Sequence, residues 1–462
     1  MMNTHAETLE DYTLPDLVFQ DPEAVRSLQD RLLGKMMNLV STNHPYYSQL
    51  MASAGLNPAD FSTISALEDF PLTSKADFLH DPEMFRLRSD GLPLDERIVA
   101  QVFYTTGTTS GVPAAIYNTS FDRNAFLHHC TTRAEITGLR SDDVIMNLFP
   151  LTQFPTGGYC RLVDDAAALG AALVFGHTGH ATGPFPVRRS TTEVIRLIEQ
   201  HCATVLWGVP GYIRRLLITA QEIGADLSSV RTLMLTGEAV TPATATELAD
   251  RLRSWGCIEP KIVNRYASTE AGTSMVECKP GTGLHDLSPD LVYLEAVDLA
   301  TGKRVPDGQQ GALAITHLAR RGTVLLRYCV GDDVVLDHSV CPQCHRTSVR
   351  IVDGPSRSGA LVKIKGMLVN LTAVGQVLAS DRDIIEYQVR VTTENRGGQV
   401  IPGAGLLLRV APATTVDTTA LVTNITEAVR AVAFVTPSIE ITERDQIFDP
   451  DAEFKARRIV VE

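Results

Sequence analysis

The sequence predicts an α/β protein: a large N-terminal domain of mixed or largely parallel sheets and helices, followed by a small, mobile α+β domain. Three observations carry this. From about residue 140 to 270, short β-branched runs alternate with amphipathic segments, the pattern of strands joined by crossover helices. The cluster Asp353-Gly-Pro-Ser-Arg-Ser-Gly359 then changes the composition to that of a linker. Beyond it, strand-like runs at Ile384 to Val391 and Leu406 to Val410 precede a helical run from Thr418 to Val432, with Leu421, Ile425 and Val429 on one side. A further strand is expected at Ser438 to Thr442. The expected division is therefore 1–353, a hinge at 354–359, and a lid domain at 360–462.

Taken in order, residues 13–90 read as helical segments with turns at Asn57-Pro58 and Pro71. The apolar segment Val99 to Phe103 is the first strong strand. After Thr191, residues Val194, Leu197, Ile198 and His201 recur at helical spacing, and Ala203 to Gly208 follows as a buried strand. Thr241 with Pro242 starts the next helix, Leu248, Leu252 and Trp255 line one face, and Gly256 stops it. Neither an internal repeat nor a low-complexity tract is present.

At 462 residues the chain is too long for one core and fits two or three compact units. Its hydrophobic content of 44% and charged content of 21% are those of an ordinary folded protein. A net charge of −13 argues against a nucleic-acid surface, which needs a basic face to displace counterions. Any anionic substrate must therefore be held by local groups. Met1 to Tyr12 lacks a basic start and an apolar core, and the longest apolar stretch, Ala166 to Gly176, is too short to span a bilayer. These features and eight cysteines lead us to expect reduced thiols and a cytoplasmic protein without a membrane partner.

The chemistry is concentrated in a few segments. Tyr104-Thr-Thr-Gly-Thr-Thr-Ser-Gly-Val-Pro113 follows the first strand and offers backbone N–H groups, hydroxyls and glycines at close range, the makings of a phosphate cradle. It lacks the Gly-Lys-Ser/Thr ending of a P-loop, so a lysine must arrive from elsewhere. Further along come Tyr266-Ala-Ser-Thr-Glu270, Leu326-Arg-Tyr-Cys-Val-Gly-Asp332, Arg357 with Lys363-Ile-Lys-Gly366, and Phe454-Lys455-Ala-Arg-Arg458. Cys341-Pro-Gln-Cys344 has the two-residue gap that lets two thiolates face one tetrahedral ion, and Cys278 with His285 offers a second pair. A redox pair and a metal-free pair of turns are the other readings of these cysteines, and Cys329 and His345 are substitute ligands.

In this order and spacing, the segments resemble the adenylate-forming superfamily of acyl- and aryl-CoA ligases, luciferases and peptide-synthetase adenylation domains. The likeness runs from about Asp69 to the C-terminus. Within the superfamily it is strongest to phenylacetate-CoA ligase-like proteins, on the short length, Glu277-Cys278, Gly283-Leu-His285, the Cys341–Cys344 knuckle and the Lys455-Ala-Arg-Arg ending.

The resemblance implies ATP-dependent activation of a small carboxylic acid as acyl-AMP, release of pyrophosphate, and transfer to coenzyme A. An amine, a carrier-protein thiol or an unusual oxyacid is the alternative. Thr105, Thr106, Gly107, Thr108, Thr109, Ser110 and Gly111 would cradle the phosphates; Thr269 would bond the α-phosphate, and Glu270 would hold Mg²⁺. Asp332 would accept from the ribose hydroxyls, Arg357 would lie near ribose and phosphate, and Lys455 would bridge the α-phosphate and the acyl oxygen. Glu238, Tyr266, Ala267 and Ser268 are grouped with the nucleotide. The acid is expected among Phe149, Phe154, Gly157, Gly158, Tyr159, Trp207, Gly237 and Arg265, with Arg265 either holding a second acidic group or pairing with Glu238. Cys278, His285, Cys341 and Cys344 would close a structural Zn²⁺ site.

Departures from the family pattern are the extra Ser110, Ala114 where many relatives carry lysine, and the hinge Ser356-Arg357-Ser358-Gly359-Ala360, which lacks the usual acids. A homodimer is common among similar proteins.

Overall fold

The computed structural model describes residues 9–88, 91–105, 113–152, 154–179, 187–357, 361–396, 399–413, 416–453 and 455–461. The chain forms two compact units. The first comprises 1–143, 153–173 and 263–355; the second comprises 144–152, 174–262 and 356–462.

The first unit opens with helices Pro22–Asn43, Pro45–Ala54, Ile64–Leu67 and Lys75–His80, as the sequence leads one to expect. Each long one starts on a polar cap and a proline: Asp21 accepts from the N–H of Glu23, and the His44 ring accepts from that of Tyr47. Their apolar faces, with Leu32, Met36, Tyr47, Phe70, Phe78 and Phe85, share one core with Leu325, Leu326 and Tyr328. The hairpin Val99–Tyr104 and Ala115–Thr119 pairs Tyr104 with Ala115. Two antiparallel sets of strands complete the unit. Val292–Val297, Gln310–His317 and Tyr328–Asp337 form one; Lys261–Ala267, Ser274–Glu277 and Leu284–Asp286 form the other.

Arg327 fixes how the helical layer meets these strands. The residue is 1% exposed, and its guanidinium donates to the carbonyls of Glu68 and Phe70 at 2.7 Å and of Gly302 at 2.8 Å, and to Glu295 Oε2 at 3.2 Å. Its own carbonyl accepts from the N–H of Thr73 at 2.9 Å. One buried cation thus satisfies three carbonyls and the buried carboxylate of Glu295.

The second unit holds the parallel part of the fold. Val144–Asn147, Val205–Gly208 and Thr232–Thr236 run parallel, with Ile145 opposite Val205 and Val205 opposite Thr232. Helices Thr191–His201 and Pro242–Ser254 occupy the expected places; Ser190 and Glu193 form a capping box on the first, and Thr241 caps the second. In the same unit a four-stranded sheet orders Ser438–Ile441, Gln399–Pro412, Ile384–Arg396 and Ile459–Val461. Helices Leu371–Ser380 and Thr418–Ala433 cover it, joining Val374, Leu378, Leu421, Ile425 and Val429 to Val389 and Leu408.

Both long strands exceed the expected runs: one continues past Val391 through the polar residues Thr392 to Arg396, and the other begins before Leu406 in a stretch with Pro402, Gly403 and Gly405, residue types that weaken a strand signal. The helix Leu371–Ser380 lies outside the expected elements, although Leu371, Val374 and Leu378 are buried at helical spacing. Among the described residues, no helix is long and apolar enough to cross a membrane.

Replacing Arg327 with Met strips three carbonyls and leaves Glu295 buried with a weaker partner. The expected loss of unfolding free energy is about 3–5 kcal/mol. Urea titration followed by fluorescence measures it, and a loss within experimental error would contradict the role assigned to Arg327.

Candidate active site

In the first unit the strand Lys261–Ala267 delivers the Tyr266–Glu270 motif. Tyr266 donates its hydroxyl to Asp332 Oδ2 at 2.8 Å, so a residue of one antiparallel set is tied to the strand Tyr328–Asp337 of the other. Asp332 is 8% exposed. Ser268 Oγ accepts from the N–H of Ala271 at 3.0 Å and holds the turn after the strand. Thr269 lies against the first turn of the helix Gly157–Leu169, where a Cβ on Gly157 would sit 3.4 Å from Thr269 Oγ1. The threonine side chain and the helix start are thus close neighbours.

Glu270 is buried, and Lys75 Nζ lies 3.4 Å from its Oε1. Local sequence shows Lys75 only as the first residue of a helix with a Ser74–Asp77 capping box. Its contact with Glu270 depends on Thr73 pairing with Tyr328, a long-range bridge that nothing local announces. A hard divalent cation needs one or two carboxylates when substrate phosphates supply its other ligands, and Glu270 fits that requirement.

The phosphate-loop residues Thr106, Gly107, Thr108, Thr109, Ser110 and Gly111 lie outside the described residues, as does the side chain of Arg357. Thr105 is described and buried. Its N–H donates to the carbonyl of Ala114 and its hydroxyl accepts from the N–H of Ala114, both at 3.0 Å. The loop's ends are therefore pinned together at the base of a hairpin.

The expected pocket residues fall in both units. In the first, the Phe154 ring lies 5.1 Å from that of Tyr104, and Gly157, Gly158 and Tyr159 begin a helix. In the second, Trp207 is 2% and Phe149 5% exposed, and the N–H of Phe149 donates to Asn147 Oδ1 at 3.1 Å. Arg265 donates to Asp165 Oδ2 at 3.2 Å, and Arg133 donates to Asp165 Oδ1 at 3.1 Å. This buried triad gives Arg265 a resident carboxylate in the first unit. Glu238 instead caps a helix of the second unit, accepting from the N–H of Gly211 at 2.9 Å.

The second unit also carries Lys455, whose ammonium donates to the carbonyl of Gly237, next to Glu238. Three residues on, Arg458 pairs with Glu386 and donates to the carbonyl of Tyr387 at 3.1 Å. Burial pulls Arg458 down to about 10, which leaves it charged at neutral pH.

Cys278, His285, Cys341 and Cys344 come together in the first unit, with their ligand atoms all within 4.8 Å of one another. Cys278 Sγ and Cys341 Sγ are 3.9 Å apart; Cys344 Sγ and His285 Nε2 are 3.5 Å apart. Tetrahedral zinc bonded at its usual lengths places two sulfurs about 3.7 Å apart and sulfur and nitrogen about 3.5 Å apart. The donors therefore fit such an ion. Burial, with Arg346 and Arg350 nearby, lowers His285 to about 4 and keeps its ring neutral, as ligation requires. Cys329 and His345 are not part of this group among the described residues.

A family model described as AMP-binding enzyme matches residues 47–319, more than half of the chain. The phenylacetate-coenzyme A ligase of Thermus thermophilus is 28% identical over 389 residues, 82% of this chain and 81% of that protein. The phenylacetate-coenzyme A ligase of Escherichia coli is 26% identical over 351 residues, covering 75% and 74%. Among solved structures, 2-hydroxyisobutyryl-CoA ligase in the postadenylation state with R3-HIB-AMP matches with a TM-score of 0.81 at 20% identity, over 99% of this chain and 94% of that one. That likeness is one of fold.

Burial acts to raise Asp165, but Arg133 and Arg265 outweigh it and hold the carboxyl below its ordinary range. A depressed carboxyl contributes stability at pH values above its unfolded value of about 3.9 and loses it as pH falls through the folded value. Asp165→Asn is thus expected to cost about 3–5 kcal/mol at pH 7, with the gap from the unsubstituted protein closing in strong acid. Urea unfolding at pH 7 and near pH 3 reads both; a gap independent of pH would contradict the ion-pair account.

Proposed function

We propose that this chain, which belongs to the AMP-binding enzyme family, activates a small carboxylic acid with ATP as acyl-AMP and passes the acyl group to coenzyme A. The observation that carries the reading is the assembly of distant motif residues within the first unit: Tyr266 bonded to Asp332, with Thr269 held against Gly157. A ribose acceptor and a phosphate donor are thus supported by direct contacts between segments far apart in sequence.

The reaction joins two anions, so its difficulty is electrostatic. Asp332 takes the ribose hydroxyls. Thr269 donates to the α-phosphate, and the segment 105–111 covers the phosphates. Lys455 supplies the charge that the loop lacks: its ammonium bonds the α-phosphate oxygen and the entering acyl oxygen as pyrophosphate leaves. Magnesium, held by Glu270, neutralises phosphate charge when bound. Arg357 is assigned to the ribose and α-phosphate, and Glu238, Tyr266, Ala267 and Ser268 to the surroundings of the nucleotide.

Phe149, Phe154, Gly157, Gly158, Tyr159, Trp207 and Gly237 suit an aromatic or compact apolar acid. Phenylacetate is the first to test, since the relatives described above carry that name. The linker 354–359 is assigned as the hinge of a lid carrying Lys455, in the division 1–353 and 360–462. The zinc group clips the segment after the Tyr266–Glu270 motif to the segment beyond Asp332, and its role is architectural. The cysteines outside the zinc group are free thiols, which supports a reducing, cytoplasmic setting.

Lys455→Ala is expected to lower the rate of pyrophosphate release by about a hundredfold or more while zinc content and folding stay unchanged. Unaltered release would remove Lys455 from the mechanism. Purified protein is expected to carry close to one zinc per chain, and Cys341→Ser to lose it; equal metal content in both by elemental analysis would show the site was misassigned. Product mass with and without coenzyme A separates thioester formation from transfer to an amine or a carrier-protein thiol.

A further inference from the structure

Lys455 lies on a short connection between the helix Arg444–Ile447 and the strand Ile459–Val461. A lysine on such a segment has many positions open to it, and adenylation needs one. The C-terminal side is held by Arg458, through Glu386, the Tyr387 carbonyl and the N–H of Val389, which donates to the carbonyl of Arg458 at 2.8 Å. The N-terminal side is held by a different kind of contact. Asp451 Oδ1 accepts from the backbone N–H of Thr191 at 2.7 Å and from its hydroxyl at 2.8 Å.

Each partner also has hydrogen bonds of its own. The helix Thr191–His201 already has a complete capping box, in which Ser190 donates to Glu193 Oε2 at 2.8 Å and Glu193 N–H donates back to Ser190 Oγ at 3.3 Å. The turn around Asp451 closes on itself: Ala452 and Glu453 N–H donate to the Asp449 carbonyl at 3.0 and 2.8 Å, and Asp451 N–H donates to Asp449 Oδ1 at 2.9 Å. What the contact adds is placement. It seats a carboxylate on the positive end of an 11-residue helix, a charge-assisted arrangement at a fixed point. Lys455 is four positions on from Asp451, so the anchor limits the lysine's backbone to about 14 Å from that point.

Two ion pairs hold the preceding helix in the same way. Arg444 forks onto Glu222, at 2.6 Å to Oε1 and 2.9 Å to Oε2, and Arg215 pairs with Asp445. All these partners belong to the second unit.

We propose that Asp451 is a positioning residue for the adenylation step: by docking on the N-terminus of the helix Thr191–His201 it holds the segment of Lys455 so that its ammonium stays on the Gly237 carbonyl. This rests on the function assigned to Lys455 above. Because the contact is polar, water can replace it when it is released.

The test compares the full-length protein with Asp451→Ala, Asp451→Asn and Thr191→Val. Pyrophosphate exchange is measured with ATP, magnesium and phenylacetate, then with a panel of other small acids, and hydrogen exchange is measured on peptides spanning 449–458 and 261–277. Asp451→Ala is expected to lower the turnover number of exchange about tenfold with the KM for the acid unchanged. Asp451→Asn keeps an acceptor oxygen and restores most of the rate. Thr191→Val keeps the backbone N–H and shows a smaller drop.

Amides in 449–458 exchange faster in the alanine variant, and those in 261–277 do not. Turnover within twofold of the unsubstituted protein, or unchanged protection of 449–458, overturns the inference. Loss of protection in both peptides, with turnover and KM changing together, assigns Asp451 a structural role and overturns it too. Absence of exchange in the unsubstituted protein with every acid sinks the assigned function instead, and the hydrogen-exchange arm still decides whether Asp451 anchors the segment.

Discussion

Two negatively charged reactants must meet on a protein whose own net charge is −13. Coulomb repulsion between them is strongest where water is excluded, so cations have to be placed where the reaction occurs. Much of the chain's buried positive charge is committed elsewhere. Arg133 and Arg265 share Asp165, Arg327 satisfies Glu295 and three carbonyls, and Arg458 is held by Glu386 and Tyr387. These guanidinium groups hold the scaffold rigid. In the proposed mechanism the chemistry falls to Lys455, a compact charge on a flexible stem, which donates to the Gly237 carbonyl.

This division of labour follows from the two side chains. A guanidinium has a planar fork of donors that can satisfy several buried acceptors at once, which is what a junction between layers needs. An ammonium is a point charge that can transfer its bonds from a carbonyl to a phosphate as a substrate arrives. Lys75 beside Glu270 illustrates the same economy in the first unit, where a lysine neutralises a carboxylate suited to a metal ion.

The sequence discloses what is local. Alternation and capping residues locate the helices Thr191–His201 and Pro242–Ser254 and the strand Val205–Gly208, because each carries its own periodicity and its own start signal. The cysteine spacing discloses the Cys278, His285, Cys341 and Cys344 group, since coordination constrains residue type and separation together. Contacts made by long-range pairing stay hidden. Asp165 as partner of Arg265, Lys75 beside Glu270 and Asp451 on Thr191 all join polar residues that look like ordinary surface groups in the sequence. The compact units are also discontinuous in the chain, so 144–152 and 174–262 group with 356–462, which no composition change marks.

Transfer of oxygen from the acid to AMP tests the central claim most directly. With the carboxylate labelled by ¹⁸O, attack of the acyl oxygen on the α-phosphate and later breakage of the acyl–oxygen bond leave one labelled oxygen in AMP. The account predicts AMP heavier by one ¹⁸O, formed with unlabelled pyrophosphate. Label recovered in inorganic phosphate alongside ADP, or unlabelled AMP from a protein that consumes ATP and acid together, would contradict it.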